Sequence, residues 1–307
     1  MREIYNELAG RLRAGVPCAV ATLVAARHAA PAPIGTSLLV DADGSFLGNI
    51  GAGCHEAELI EGARAALGDG SPRTIDLALT DELLDGSFCG ASLTVEIWIP
   101  DADFSVVADR IVGGEEVVQF SCGAHVVRIE RKRRIVVVGA TDLAAKLARH
   151  ASAADFSVTV VDPRAEFATM RRHPDAQRVI VAWPDEVVPR LLTDAAAIVV
   201  VAHDAKIDLA ALRCALDSDV AYIGVLGSRR SQSVRAESLR ELGYGIDALA
   251  RIHGPAGLDV GATFSAQITC SILAEILTVL NHRSASPLRS LQGPIHHAEL
   301  EHWGTRR

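Results

Sequence analysis

Five short runs of β-branched and aliphatic residues, spaced by stretches of helical periodicity, constrain the fold of this chain more than any other feature. They are Ile135-Val136-Val137-Val138-Gly139, Ser157-Val158-Thr159-Val160-Val161, Arg178-Val179-Ile180-Val181, Ala197-Ile198-Val199-Val200-Val201 and Ala221-Tyr222-Ile223-Gly224-Val225. Each is too short for a helix and rich in residues that suit a pleated, buried surface, so each reads as a buried strand. Helical spacing returns between them, for example over residues 143–150, 209–216 and 233–242. This alternation predicts right-handed βαβ units and a parallel sheet. Ile268, Ile272, Ile276, Val279 and Leu280 recur at helical period and predict a long amphipathic helix that packs back on the sheet.

The N-terminal third has a different pattern. Residues 1–13 read as a helix, and residues 19–24, 37–40 and 46–50 as strands, with a hairpin turn at Asp41-Ala42-Asp43-Gly44. A helix is expected from His55 to about Leu67. The alternation of Leu93, Val95, Ile97 and Ile99 marks a half-buried strand, and residues 117–129 add one or two more. The expected fold class is α/β: a C-terminal Rossmann-like parallel sheet with helices on both faces, plus a smaller N-terminal α+β domain. The expected boundaries are 1–130, 131–283 and a polar tail over 284–307.

A length of 307 residues fits two domains, and 49% apolar with 22% charged residues is a globular composition. Aromatics are only 4%, so the cores must be built from Ala, Val, Leu and Ile. A net charge of −8 argues against a broad nucleic-acid-binding face, and Arg131-Lys132-Arg133-Arg134 reads as a solvated linker. No apolar stretch reaches membrane-spanning length, and Met1-Arg2-Glu3-Ile4-Tyr5 does not read as a signal peptide, so a cytoplasmic location is expected. There the six cysteines would stay reduced, and none forms a Cys-x-x-Cys pair.

Four candidate sites could carry chemistry. In Gly51-Ala52-Gly53-Cys54-His55-Glu56, glycines between a strand and a helix would let a ligand approach the backbone, and the free N–H groups would favour an anion. A thiol there suits a soft metal or sulfur transfer; a tight turn with a buried Cys54 is an equal reading. Phe88-Cys89-Gly90-Ala91 is a loop that could present the Cys89 sulfur, although taken alone a turn with a half-buried cysteine is the better reading. The other four cysteines lie in apolar stretches and are taken as core. After the first strand of the parallel sheet, Gly139-Ala140-Thr141-Asp142 keeps only the first glycine of a dinucleotide fingerprint and adds a negative charge. NAD(P) binding is therefore disfavoured, although Asp162 stands where a ribose-binding acid belongs. Finally, His203-Asp204 and Gly227-Ser228-Arg229-Arg230 sit at strand ends. They form either a polar, cation-bearing pocket for a phosphorylated ligand or helix caps and a turn. Gly254–Asp259 is most simply a structural loop. The histidines of the tail, at 296, 297 and 302, are taken as solvated rather than metal-binding.

Taken in order, these segments resemble the XdhC/CoxI family. The N-terminal likeness rests on Pro33-x-Gly35, on Leu38-Leu39-Val40 with Asp43-Gly44, and on Gly48-x-Ile50-Gly51-Ala52-Gly53-Cys54-x-Glu56, followed by Cys89-Gly90. The C-terminal likeness rests on Val161-Asp162-Pro163-Arg164, His203-Asp204 with Asp208, Tyr222-Ile223-Gly224-x-Leu226-Gly227-Ser228-Arg229-Arg230, Pro255-x-Gly257-Leu258-Asp259-x-Gly261 and Ser271–Ile276. It covers about residues 3–283. The resemblance implies a non-catalytic maturation factor that binds molybdenum cofactor (molybdopterin) and passes it to a xanthine-dehydrogenase-type molybdenum hydroxylase apoenzyme. A cysteine desulfurase and a second copy of the chain are further candidate partners. By the same resemblance Cys54 and Cys89 are candidate cofactor-facing thiols. The chain departs from the family at Ala52, Ala91, Thr141 and Ala144, where glycines are usual, at Ser265-Ala266-Gln267, where a Pro-Glu-Glu run is usual, and at Ala29-Ala30-Pro31-Ala32-Pro33, where the family has Gly-Ser-x-Pro-Arg. Two rival readings stay open: an NAD(P)-dependent oxidoreductase, and a scaffold for hydroxylase maturation without cargo of its own.

Overall fold

The computed structural model describes residues 2–27, 32–50, 55–79 and 91–292. They form two compact units, one within residues 1–131 and the other spanning residues 132–291.

In the first unit the order is α1 (Arg2–Ala14), β1 (Cys18–Arg27), β2 (Ser37–Asp41), β3 (Phe46–Gly48), α2 (Glu56–Asp69), β4 (Arg73–Leu79), β5 (Ala91–Trp98), α3 (Phe104–Val112), β6 (Val117–Cys122) and β7 (His125–Glu130). The sheet runs β3-β2-β1-β5-β4, and each neighbouring pair is antiparallel. Strand β1 is central and buried on both faces, so alternate residues feed two cores. Ala19, Ala21 and Leu23 meet Leu59 and Ala63 of α2. Val20 and Val24 meet Tyr5 and Leu8 of α1, Phe104 of α3 and the β6–β7 hairpin. The β2–β3 turn closes where it was expected: Gly44 donates its N–H to the Asp41 carbonyl (2.9 Å), and its φ of +88° is the left-handed region that glycine enters without steric cost.

The second unit is a six-stranded parallel sheet in the order β10-β9-β8-β11-β12-β13. Its strands are β8 (Arg134–Val138), β9 (Ser157–Val161), β10 (Arg178–Ile180), β11 (Ala195–Val200), β12 (Tyr222–Val225) and β13 (Ile252–His253). Its helices are α4 (Asp142–Ala153), α5 (Pro184–Leu192), α6 (Ala205–Leu216), α7 (Arg229–Glu241), α8 (Ile246–Ala250) and α9 (Ser265–Leu280). Period-2 alternation sorts the strand side chains to two faces. Ile135, Val137, Val158, Val160, Ala197 and Val199 pack with α4 and α9. Val136, Val138, Ile198, Val200, Ile223 and Val225 pack with α5, α6 and Leu239 of α7. The expected parallel sheet with helices on both faces is the observed one.

The core assignment of the remaining cysteines needs a correction. Cys18 and Cys122 are buried and Cys214 is half-buried, but Cys270 is exposed. On α9 the positions 268, 272 and 276 define the inward stripe, and residue 270 lies about 200° around the helix from 272, on the outer face.

Candidate functional site

The strand order reverses between β8 and β11, where open parallel sheets leave a crevice beyond the carboxyl ends of the strands. Gly139 closes β8 there with a φ of +109°. A Cβ at this position would lie 2.8 Å from the Val201 carbonyl carbon and closer still to the Ala202 nitrogen and Cα. The glycine is thus explained by the passage of the backbone just beyond β11. Thr141 caps α4, its hydroxyl accepting from the Ala144 N–H at 3.2 Å, and Asp142 pairs with Lys146 at 2.6 Å across one helical turn.

Asp162, at the end of β9, is fully buried. Its Oδ2 accepts from the Ala140 N–H (2.7 Å) and an Arg164 terminal nitrogen (2.7 Å), and its Oδ1 accepts from the Arg164 N–H and Nε (2.9 Å each). Burial pushes the carboxyl pKa up, but the Arg164 hydrogen bonds and the two backbone donors outweigh it and hold the group below the usual carboxylate range. The turn that meets a pyrophosphate in dinucleotide-binding folds here donates to the protein's own carboxylate. Asp162 has no oxygen to offer a ribose diol without giving up Arg164 or a backbone donor.

A second cleft opens at the ends of β11 and β12, between the starts of α6 and α7, with a volume of about 420 Å³. His203, Asp208, Gly227, Arg230, Ser231 and Arg235 are among the residues lining it. His203 is exposed and holds a left-handed backbone (φ +56°), which turns the chain into α6. Asp204 is the α6 cap, its Oδ1 accepting from the Lys206 and Ile207 N–H groups at 2.9 and 3.3 Å. Ser228 caps α7 through the Ser231 N–H at 3.2 Å. The capping reading therefore holds for both residues, and the cation-bearing cleft exists beside them. Arg229 and Arg230 are exposed in the first turn of α7, which carries no acidic residue.

Two residues matter here beyond those singled out from the sequence as site residues. Arg235 donates to Asp208 Oδ2 at 2.6 Å and to the Leu226 carbonyl at 2.8 Å. Burial pushes the Asp208 carboxyl pKa up against the opposing pull of Arg235. A Cβ on Gly227 would fall 2.9 Å from the Arg235 guanidinium, so the glycine makes room for it. One sequence signal could have found Arg235: it lies two helical turns beyond Ser228, on the same face.

The loop over 254–259 is tied to α9 through Gly257. Glu275 of α9 accepts from the Tyr222 hydroxyl (2.6 Å) and the Gly257 N–H (2.8 Å), and His253 Nδ1 lies 3.1 Å from its other oxygen. Burial raises the Glu275 pKa, but the hydrogen bonds of His253, Tyr222 and Gly257 bring it below the ordinary value. This network ties α9 to β12 and β13.

Gly51, Gly53, Cys54, Cys89 and Gly90 lie outside the described residues. Glu56 is described: it begins α2, is 8% exposed, and accepts from the His55 N–H at 3.3 Å. With Glu58 it gives the first turn of α2 two carboxylates, which themselves complement the helix dipole. Among the described residues no cluster of three His, Cys, Asp or Glu is arranged to hold a metal, and no helix is long and apolar enough to cross a membrane.

Residues 135–276 match the family described as the XdhC Rossmann domain, and residues 11–78 match the XdhC and CoxI family. Among curated proteins the chain is similar to "Uncharacterized protein YqeB" of Escherichia coli K12, 27% identical over 96% of this chain and 49% of that protein. It is also similar to "Molybdenum cofactor insertion chaperone PaoD" of the same organism, 23% identical over 92% of this chain and 89% of the other. A third relative, from Bacillus subtilis 168, is described as a probable xanthine dehydrogenase subunit, and is 31% identical over 49% of this chain and 44% of that protein. The chain thus spans about half the length of two of these three relatives. A crystal structure described as a xanthine dehydrogenase from Bacillus halodurans shares the fold, with a TM-score of 0.74, 22% identity, and coverage of 93% of this chain and 99% of the other.

Proposed function

The chain belongs to the XdhC and CoxI family, and from that premise we propose that it is an accessory factor that binds molybdenum cofactor and delivers it to a xanthine-dehydrogenase-type molybdenum hydroxylase. The observation that carries this reading is the end-to-end likeness to PaoD, which takes in 92% of this chain and 89% of that chaperone. The occupied Asp162 supports it over a dinucleotide-dependent oxidoreductase, because the acid that would select a ribose is spent on Arg164 and Ala140.

The residues fit such a cargo in kind. When bound, the cofactor supplies a molybdenum centre held by a phosphorylated pterin. Thiolates are suited to the metal end, and Cys54 and Cys89 are the residues we assign to it. Basic groups and free helix N–H groups are suited to the phosphate. The chain's own work would be to hold, shield and release the group, with a molybdenum hydroxylase apoenzyme as the receiving partner.

The test is direct. Wild-type protein incubated with released cofactor and then desalted should retain molybdenum, measured by plasma mass spectrometry, and Cys54→Ala should retain at least tenfold less. Equal, near-zero molybdenum in both would reject the reading.

A further inference from the structure

The start of α7 has the wrong charge for a helix left to itself. Helix N-termini favour acidic residues, because the free N–H groups and the macrodipole are positive there. Here the first two residues are Arg229 and Arg230, both exposed, with no acid in the first turn and no ion-pair partner among the described residues. Such an arrangement fits an anion that is not part of the chain.

A second observation, independent of the helix end, lies in the same cleft. Asp208 is 2% exposed, and its Oδ1 has no hydrogen-bond partner, while Oδ2 is held by Arg235. Buried acceptors are satisfied in nearly all folded proteins, and an orphan beside a cleft points to a donor that arrives with a ligand. An anion that brings an N–H or O–H group with it would answer both features at once. The cleft volume of about 420 Å³ falls within the range of small-molecule sites.

We propose that the cleft between α6 and α7 binds the phosphomonoester of a polar heterocycle, with phosphate at Arg230 and the first turn of α7, Arg229 adding charge from beside the cleft, and a donor group of the heterocycle at Asp208. The site lies one strand beyond the crevice that Rossmann folds ordinarily use, where Asp162 is already engaged by Ala140 and Arg164. This deepens the functional reading above and rests on it only for the identity of the physiological ligand. A phosphorylated pterin and a purine nucleotide share the required chemistry, and the test separates them.

Titration calorimetry on the full-length protein at low salt would use three probes: AMP, a fluorescent pterin monophosphate and inorganic phosphate. Both heterocyclic phosphates should bind more tightly than inorganic phosphate, and tighter binding of the pterin would mark it as the better match. The Arg229→Glu/Arg230→Glu protein should keep its fold, since carboxylates suit a helix start, and should bind each probe at least tenfold more weakly. Asp208→Asn should keep phosphate binding and lose the preference for the heterocycles. Unaltered affinities in the double variant, or no saturable binding of any probe to wild type, would overturn the site. Retained AMP or pterin phosphate binding in a wild-type protein that takes up no molybdenum would instead sink the functional reading and leave the cleft standing.

Discussion

Gly139→Ala is expected to destabilise the parallel-sheet unit by about 3–5 kcal/mol, the range reserved for steric conflicts that cannot relax. Two penalties coincide. The backbone sits at a φ of +109°, a conformation L residues rarely adopt. The added methyl would also meet backbone atoms of Val201 and Ala202 rather than the end of a flexible side chain. Those atoms are fixed: the Val201 N–H bonds to the Val138 carbonyl and the Gly139 N–H to the Val161 carbonyl, both at 2.8 Å. Relief would therefore mean separating β8 from β11, the central pair of the sheet. The measurement is urea unfolding by far-UV circular dichroism, with amide exchange at Val138 and Val201 reporting the central ladder. A midpoint within experimental error of wild type would show that the sheet can open here at no cost, and would undo the structural account of this glycine.

The parts of the fold that were legible in the sequence share one property: their signal is local. Strands β8, β9, β11 and β12 are short runs dominated by apolar and β-branched residues because both of their faces are covered. Helix α9 was legible from its isoleucine stripe. Helix α5 was less so, since Pro189 reads as a breaker in the middle of an otherwise helical spacing of Val188, Leu191 and Leu192. Strand β13 is two residues long, too short for any pattern. In the candidate site, the positions of Asp162, His203, Gly227 and Ser228 at strand ends followed from the alternation of elements. Their partners did not. Arg235 reaches Asp208 across 27 residues of chain, and Ala140 meets Asp162 across 22. Such pairings depend on how helices dock, which no spacing rule encodes. The thiols at 54 and 89 were singled out by residue type, and both lie outside the described residues.

Asp162→Ala is the second large effect expected, with a pH signature that separates it from simple loss of packing. Removing the carboxylate strands the Ala140 N–H and uncouples Arg164, whose side chain is one-third exposed and can recover part of its solvation. Deleting one partner of a buried charged hydrogen-bond network costs about 3–5 kcal/mol, and the exposure of Arg164 brings the expectation to about 2–4 kcal/mol at neutral pH. The folded-state pKa of Asp162 is depressed, so its contribution is fully present above the unfolded value of about 4. It declines as the pH falls through the depressed folded value, because the unfolded chain takes up the proton first. The stability difference between wild type and Asp162→Ala should therefore be constant from pH 8 to about pH 5 and shrink below pH 4. Asp162→Asn should lie between the two, since the amide oxygen still accepts while its NH₂ is turned toward donors. Urea midpoints measured across this pH series give the result. A difference that is independent of pH down to pH 3 would mean that Asp162 stabilises the turn by shape alone, and the ion-paired carboxylate would not be what holds it together.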